Sequence, residues 1–134
     1  MPKHKKLRKL NHLPSIEGFK PFGIPMHKLD HICLLFEEYE SIRLVDYENL
    51  THEQASKIMG ISRPTFTRIY DKARKTIACA FVEGKAIIIE GGNFLTENLW
   101  YRCKHCHRTI KSDSPITECN NCSSSDIKLL TPNK

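Results

Sequence analysis

Four cysteines, Cys103, Cys106, Cys119 and Cys122, are spaced C-x2-C-x12-C-x2-C. Each C-x2-C knuckle can present two thiolates to one ion, and the intervening loop lets two knuckles close on the same ion as a tetrahedral site. The pattern points to one structural Zn2+ per chain. Four thiolates leave no open coordination position, so zinc catalysis is not expected; iron is chemically acceptable to the same donors. His105 and His107 lie in or beside the first knuckle, but four cysteines at matching spacing make them the weaker ligands. No βαβ pattern surrounds either C-x2-C, which argues against a thioredoxin-like dithiol. Cys33 and Cys79 sit in apolar segments and read as buried free thiols. His27 and His31 have i, i+4 spacing, yet they lie near Pro25 and no further ligand set accompanies them.

A second constellation occupies "GISRPTFTRIYDKARK", Gly60 to Lys75. Arginine offers a planar fork for guanine O6 and N7, threonine can bond a base or touch a thymine methyl, and lysine is a point charge for phosphate. Arg63, Thr65, Thr67 and Arg68 are therefore candidates for base contact, and Lys72 and Lys75, further along, for phosphate contact. Thr51 and His52, at the start of the preceding helix, can reach a phosphate through side chain or backbone N–H. Any basic amphipathic helix shares this composition, so the weight rests on the elements that would position it.

Those elements carry clear signals. Thr51 and Gln54 form a T-x-x-Q capping box at the start of one helix, whose inner face is assigned to Ala55, Ile58 and Met59. Gly60 can end that helix in the left-handed region, and Ser62 can cap the next, with Pro64 in its first turn where a missing N–H breaks no bond. Phe66, Ile69, Ala73, Ile77 and Ala80 or Phe81 recur every three to four residues as the buried stripe. Two helices joined by a turn of three residues, the second with polar and basic residues at its start, make a helix-turn-helix whose second helix can enter a major groove.

Upstream, "FKPFGIP" (19–25) reads as an ordered irregular turn and "HICLLF" (31–36) as a buried strand. Residues 37–50 read as a first helix with Glu37, Glu38 and Glu40 on a solvated face. Downstream, residues 86–90 read as a strand that could pair with the first or across a dimer axis. Leu99–Arg102 and Asp126–Leu130 would be strands flanking the knuckles, so the module resembles a zinc ribbon. Trp100 is assigned to packing in a module too small to have much core of its own, with metal supplying the missing folding free energy. The expected fold class is α+β: a helix-turn-helix core with a short strand pair, plus the ribbon. Residues 1–18 form a flexible basic arm, 19–94 the helix-turn-helix domain and 99–130 the ribbon.

Charge is distributed in blocks. Residues 1–28 hold seven Lys or Arg against one acid, 29–49 one against six, 50–85 seven against three and 86–134 six against five, for a net charge of +6. Such asymmetry suits a polyanionic partner better than a uniform coat would. No apolar run approaches the roughly 18 residues of a membrane span, and the basic start lacks the apolar stretch of a signal peptide. The expectation is a cytoplasmic protein, where reducing conditions favour thiols as metal ligands.

"LTHEQASKIMGISRPTFTRIYDKARKTI" resembles the helix-turn-helix of region four of sigma-70-type initiation factors. More specifically, "FKPFGIP", "EEYESIRLVDYENLTHEQASKIMGISRPTFTRI" and "VEGKAIIIEGGNF", in that order from Phe19 to Phe94, resemble the prokaryotic family of predicted DNA-binding proteins called domain of unknown function 134. The resemblance implies a predicted DNA-binding protein of unassigned regulon. The cysteine module is an addition to that family's core motifs.

Sequence reading thus favours a sequence-specific binder of double-stranded DNA, a transcriptional regulator acting as a monomer or homodimer. Its alternative is an adaptor of the transcription machinery, contacting RNA polymerase or another protein through the ribbon without DNA affinity of its own. An RNA-binding sheet with interleaved aromatics is absent, and no nucleophile, base and oxyanion donor assemble, so enzyme activity is not expected.

Overall fold

The computed structural model describes residues 8–10, 12–92 and 94–131. The fold is α+β. Strand β1 (Arg8–Lys9) leads to β2 (Gly18–Phe19), a 3-10 turn at Met26–Lys28 and β3 (His31–Leu34); then come α1 (Phe36–Ile42), α2 (His52–Met59) and α3 (Arg63–Glu83). Strands β4 (Ala86–Ile89) and β5 (Phe94–Leu95) close this part, and β6 (Leu99–Cys103), β7 (Thr109–Ser112) and β8 (Ile127–Leu129) build the cysteine module.

Strand β4 is central in a three-stranded sheet of order β2-β4-β3, antiparallel to β2 and parallel to β3 with Ile32 opposite Ile87 and Leu34 opposite Ile89. The run of isoleucines in β4 thus pairs within the chain, with the three helices as the crossover from β3. Strand β1 pairs in parallel with β5, and Leu10 and Leu13 enter the core. The expected flexible arm is corrected on this point: from Arg8 onward the segment is part of the fold, because two leucines just after the basic run have apolar surface to bury. Lys3, Lys5 and Lys6 lie outside the described residues.

The core gathers Leu34, Phe36, Ala55, Met59, Phe66 and Ala73, with Phe36 and Phe94 edge to face at 5.3 Å. On α3 the buried positions are Phe66, Tyr70, Ala73 and Ala80, whereas Phe81 is exposed; Ile58, expected inside α2, is also exposed and Ser56 is buried in its place. The three-to-four-residue period holds: of the two candidates Ala80 and Phe81 it is Ala80 that is buried, and on α2 Ser56 rather than Ile58 completes the inner face.

Helix α1 departs most from expectation. It continues at Arg43–Tyr47 as a π-helical turn, with the Glu48 N–H donating to the Arg43 carbonyl at 2.9 Å. Glu37, Glu38 and Glu40 are buried, not solvated. Each has a partner: Glu37 Oε2 lies 2.9 Å from Arg8 Nε, Glu38 Oε1 accepts from the Leu35 N–H at 2.9 Å, and Glu40 accepts from Arg43 Nε and Nη2 through its two carboxylate oxygens. A carboxylate can be buried when a helix N-terminus or an arginine supplies the bonds water would have made. Close packing of the acids extends to Gly92, whose φ of 108° puts it where an added Cβ would meet Glu37 Oε1 at 2.7 Å. Cys33 is exposed and Cys79 half-buried, correcting their reading as buried thiols: β3 is an edge strand whose alternate side chains face outward.

Candidate nucleic-acid interface and metal centre

The turn between α2 and α3 is built as its residues dictate. Thr51 Oγ1 accepts from the Gln54 N–H at 3.1 Å while Gln54 Oε1 accepts from the Thr51 N–H at 3.0 Å, a complete capping box. Gly60 ends α2 at φ 68°, in the left-handed region that costs other residues strain. Ser62 then caps α3, its Oγ accepting from the Thr65 N–H at 3.3 Å. The result is two helices joined by a tight turn, with the start of α3 exposed.

The candidate DNA-contact residues divide into two groups. Arg63, Arg68 and Lys75 are exposed, and Arg68 makes one long contact, 3.4 Å from Nη2 to Thr65 Oγ1. Thr51 and Thr65 serve the caps, Thr65 also accepting from the Ser62 hydroxyl at 2.9 Å. Thr67 turns inward, its hydroxyl 2.9 Å from His52 Nδ1, so its oxygen ties α3 to α2. Lys72 is exposed along its stem, with Nζ 3.9 Å from the buried Glu38.

Three features of this region were not assigned from sequence. The His52 ring lies edgewise against Phe66 and Tyr70 at 5.4 and 4.9 Å. Tyr70 donates its hydroxyl to Asp46 Oδ1 at 2.7 Å, and Arg74 sits 5.5 Å over the same ring. Burial, reinforced by the Asp46 bond, holds the Tyr70 phenol above its ordinary range. Lys9, finally, runs its aliphatic stem past the turn, 3.5 Å from where a Cβ on Gly60 would stand. Tyr70 is four residues after Phe66 and was within reach of the periodicity; the Lys9 contact crosses 51 positions of sequence and left no local signal.

In the cysteine module, the two knuckles match bond for bond. The His107 N–H donates to the Cys103 carbonyl at 2.9 Å and the Ser123 N–H to the Cys119 carbonyl at 3.0 Å; the Cys103 and Cys119 N–H groups in turn reach the carbonyls of Arg108 and Ser124 at 2.9 and 2.8 Å. His107 and Ser123 are both left-handed, at φ 63° and 62°. His107 therefore shapes a turn, and the four ligand candidates are the cysteines.

Their Sγ atoms all lie within 4.8 Å of one another, with Cys103 to Cys122 at 3.6 Å and Cys106 to Cys119 at 3.7 Å. Zinc–sulfur bonds of about 2.3 Å give a tetrahedron whose edge is about 3.8 Å, so the donor set fits a metal ion of that size. The thiols are driven apart in acidity: the Arg108 N–H leads in drawing Cys106 down to about 6, whereas Cys122, pulled down by the Ser124 N–H, is pushed up by more through burial and its three neighbours, to about 12. Four thiolates this close need a cation to share their charge. Backbone amides of Cys106 and Asn121, each 3.4 Å from a cysteine sulfur, supply the surrounding hydrogen bonds.

The module is tied to the rest of the chain. Trp100 belongs to the main core rather than to the ribbon's own, correcting its expected role. Arg102, also buried, donates from Nη2 to the carbonyls of Pro14 and Ile16 at 3.0 and 3.1 Å. Among the described residues, no helix is long and apolar enough to cross a membrane.

A family model described as "Protein of unknown function DUF134" matches residues 1–97. A UPF0251 protein of Chloroherpeton thalassium is 39% identical over 97% of this chain and 89% of its own length, and one of Pelotomaculum thermopropionicum is 41% identical over 94% and 96%. A UPF0251 protein of Moorella thermoacetica is 38% identical, covering 100% of this chain and 91% of the relative, and so spans the cysteine module as well. No solved structure matches.

Proposed function

The chain belongs to the DUF134 family, whose description assigns no activity, and from that premise we propose that it is a sequence-specific DNA-binding protein, a transcriptional regulator reading duplex DNA with the start of α3. The observation that carries this reading is the exposure of Arg63 and Arg68 on the first turns of a helix whose opposite face, Phe66, Tyr70 and Ala73, is buried. Their position, just after a capped turn, is where a recognition helix meets base edges. Lys75 further along α3 and Lys9 beside the turn supply charge for phosphates.

The four cysteines hold one structural zinc ion, and the ribbon it organises braces residues 14–16 through Arg102. Such a regulator works in the cytoplasm, where its thiols stay reduced for metal. Affinity comes largely from phosphate neutralisation and falls steeply with salt.

Fluorescence anisotropy against random duplex DNA at low and moderate salt tests the proposal. Binding at low salt that weakens as salt rises is expected. No binding at low salt overturns it and favours the protein-interaction adaptor.

A further inference from the structure

The far end of α3 presents apolar groups where water would ordinarily meet polar ones. Phe22, Phe81 and Val82 are 103%, 86% and 80% exposed, and Phe19 is 60% exposed. Phe22 follows Pro21 at the edge of one cleft, whereas Val82 stands about 100° around α3 from Phe81. Phe19, Pro21, Ile77 and Phe81 line a single cleft of about 540 Å³, and a Cβ on Gly84 would meet Ile24 Cδ1 at 2.8 Å, so the loop 19–25 lies against the end of α3. Phe81 also borders a second cleft, of about 630 Å³, with Ile42 and Ala78. Its ring is thus a ridge between two hollows.

We propose that this face is a homodimer interface, with Phe81 of each copy seated in the apolar cleft of the other about a two-fold axis. An isologous contact requires one patch to carry both the projecting and the receiving shape, and this one does. An exposed phenylalanine offers about 150–250 Å². Phe19, Phe22 and Phe81 therefore contribute on the order of 500 Å² per partner, about 1,000 Å² in all, the size of a small, concentration-dependent interface. Its rim carries both signs, Lys20 and Lys85 against Glu83, the last two 3.3 Å apart, so opposite charges are at hand to pair across the axis.

The interface also has a consequence for DNA, which rests on the reading proposed above while the dimer itself does not. Along α3, at about 1.5 Å per residue, Arg68 and Arg63 lie roughly 20 and 27 Å from Phe81. Two copies joined at Phe81 can therefore set their reading ends one helical turn of DNA apart, about 34–36 Å.

Sedimentation velocity of the zinc-loaded full chain, without DNA, from low to high micromolar concentration tests the dimer. A dimer is expected, with F81E and, separately, F19E raising its dissociation constant by at least about thirtyfold while zinc content and Trp100 emission stay unchanged. Arg63→Ala, at the other end of α3, leaves association unaltered. A wild-type chain that stays monomeric at high micromolar concentration overturns the proposal, as does an F81E chain that dimerises as tightly as the wild type. Native mass spectrometry showing a monomer with an added small-molecule mass also overturns it, by assigning the cleft to a ligand. Loss of DNA binding with an intact dimer refutes only the reading of α3.

Discussion

His107 and Ser123 occupy the same left-handed position one residue after the second cysteine of their respective knuckles, at φ 63° and 62°, each donating its N–H to the carbonyl of the first cysteine. Left-handed backbone costs an L-residue about 1–2 kcal/mol relative to glycine. Glycine at either position relieves that strain, less the entropy glycine adds to the unfolded chain, and is expected to keep or modestly raise metal affinity. Valine, with its branched Cβ, is expected to lower it. Competition against a chromophoric chelator measures both; equal affinity for the Gly and Val variants would refute a role for the turn.

Arg68→Ala is expected to weaken binding to the preferred DNA site by about 1–3 kcal/mol and to relax sequence preference, as removal of a base contact does. Lys75→Ala is expected to weaken all sequences alike and reduce the salt slope by about one. Thr67→Val, by contrast, breaks the link to His52 and acts through the helix packing, so it should lower stability as well as affinity. Equal losses on all sequences from Arg68→Ala and Lys75→Ala would refute the division of labour.

Burial, with the Asp46 bond, raises the Tyr70 pKa above its ordinary value of 10. The native state then holds this proton more tightly than the unfolded chain does, so stability from this group is full below about pH 10 and is lost as pH rises through the folded-state value. Tyr70→Phe is expected to flatten the alkaline limb of a stability profile at a cost of about 1 kcal/mol near neutrality. Denaturant midpoints on either side of pH 10 measure it. An unchanged alkaline slope in the variant would exclude Tyr70 as the source.

The buried acids make the two residues of β1 unequal. Arg8→Ala takes away the guanidinium 2.9 Å from Glu37, which is 4% exposed, and is expected to destabilise the fold by about 3–5 kcal/mol. Lys9→Ala removes an exposed ammonium and is expected to cost only a few tenths of a kcal/mol, while weakening DNA binding. Urea unfolding of the two variants checks the contrast; similar midpoints would contradict the structural role of Arg8.

What could be read from sequence was local. The Thr51 and Ser62 caps, the Gly60 turn and the cysteine spacing each depend on residues a few positions apart, and all were legible. The acids of α1 were not, because whether Glu37 and Glu40 face water depends on Arg8 and Arg43 and on the packing of β5, none of which a charge pattern encodes. At the end of α3 the apolar period left Ala80 and Phe81 both open, and only tertiary packing decides that Ala80 is the buried one. Trp100 was misplaced because sequence proximity to Cys103 suggested the ribbon's core, whereas β6 sends alternate side chains to opposite faces and one of them points into the main domain.

That placement makes Trp100, the single tryptophan of the chain, a reporter for the metal. On the proposal that zinc joins the two knuckles, the first of them follows directly from β6, and β6 carries both Trp100 into the main core and Arg102 onto the Pro14 and Ile16 carbonyls. Removing zinc with a chelator releases four crowded thiols that cannot share charge without a cation, so the ribbon loses its folding free energy. The strain passes to β6, and Trp100 emission is expected to shift to the red as water reaches it, with proteolysis beginning in residues 104–126. Cys119→Ser is expected to show the same emission without chelator, and zinc addition is expected to reverse the shift in the wild-type chain only. Unchanged Trp100 emission in the metal-free chain would mean that β6 docks by apolar contact alone, and would detach the metal from the stability of the main core.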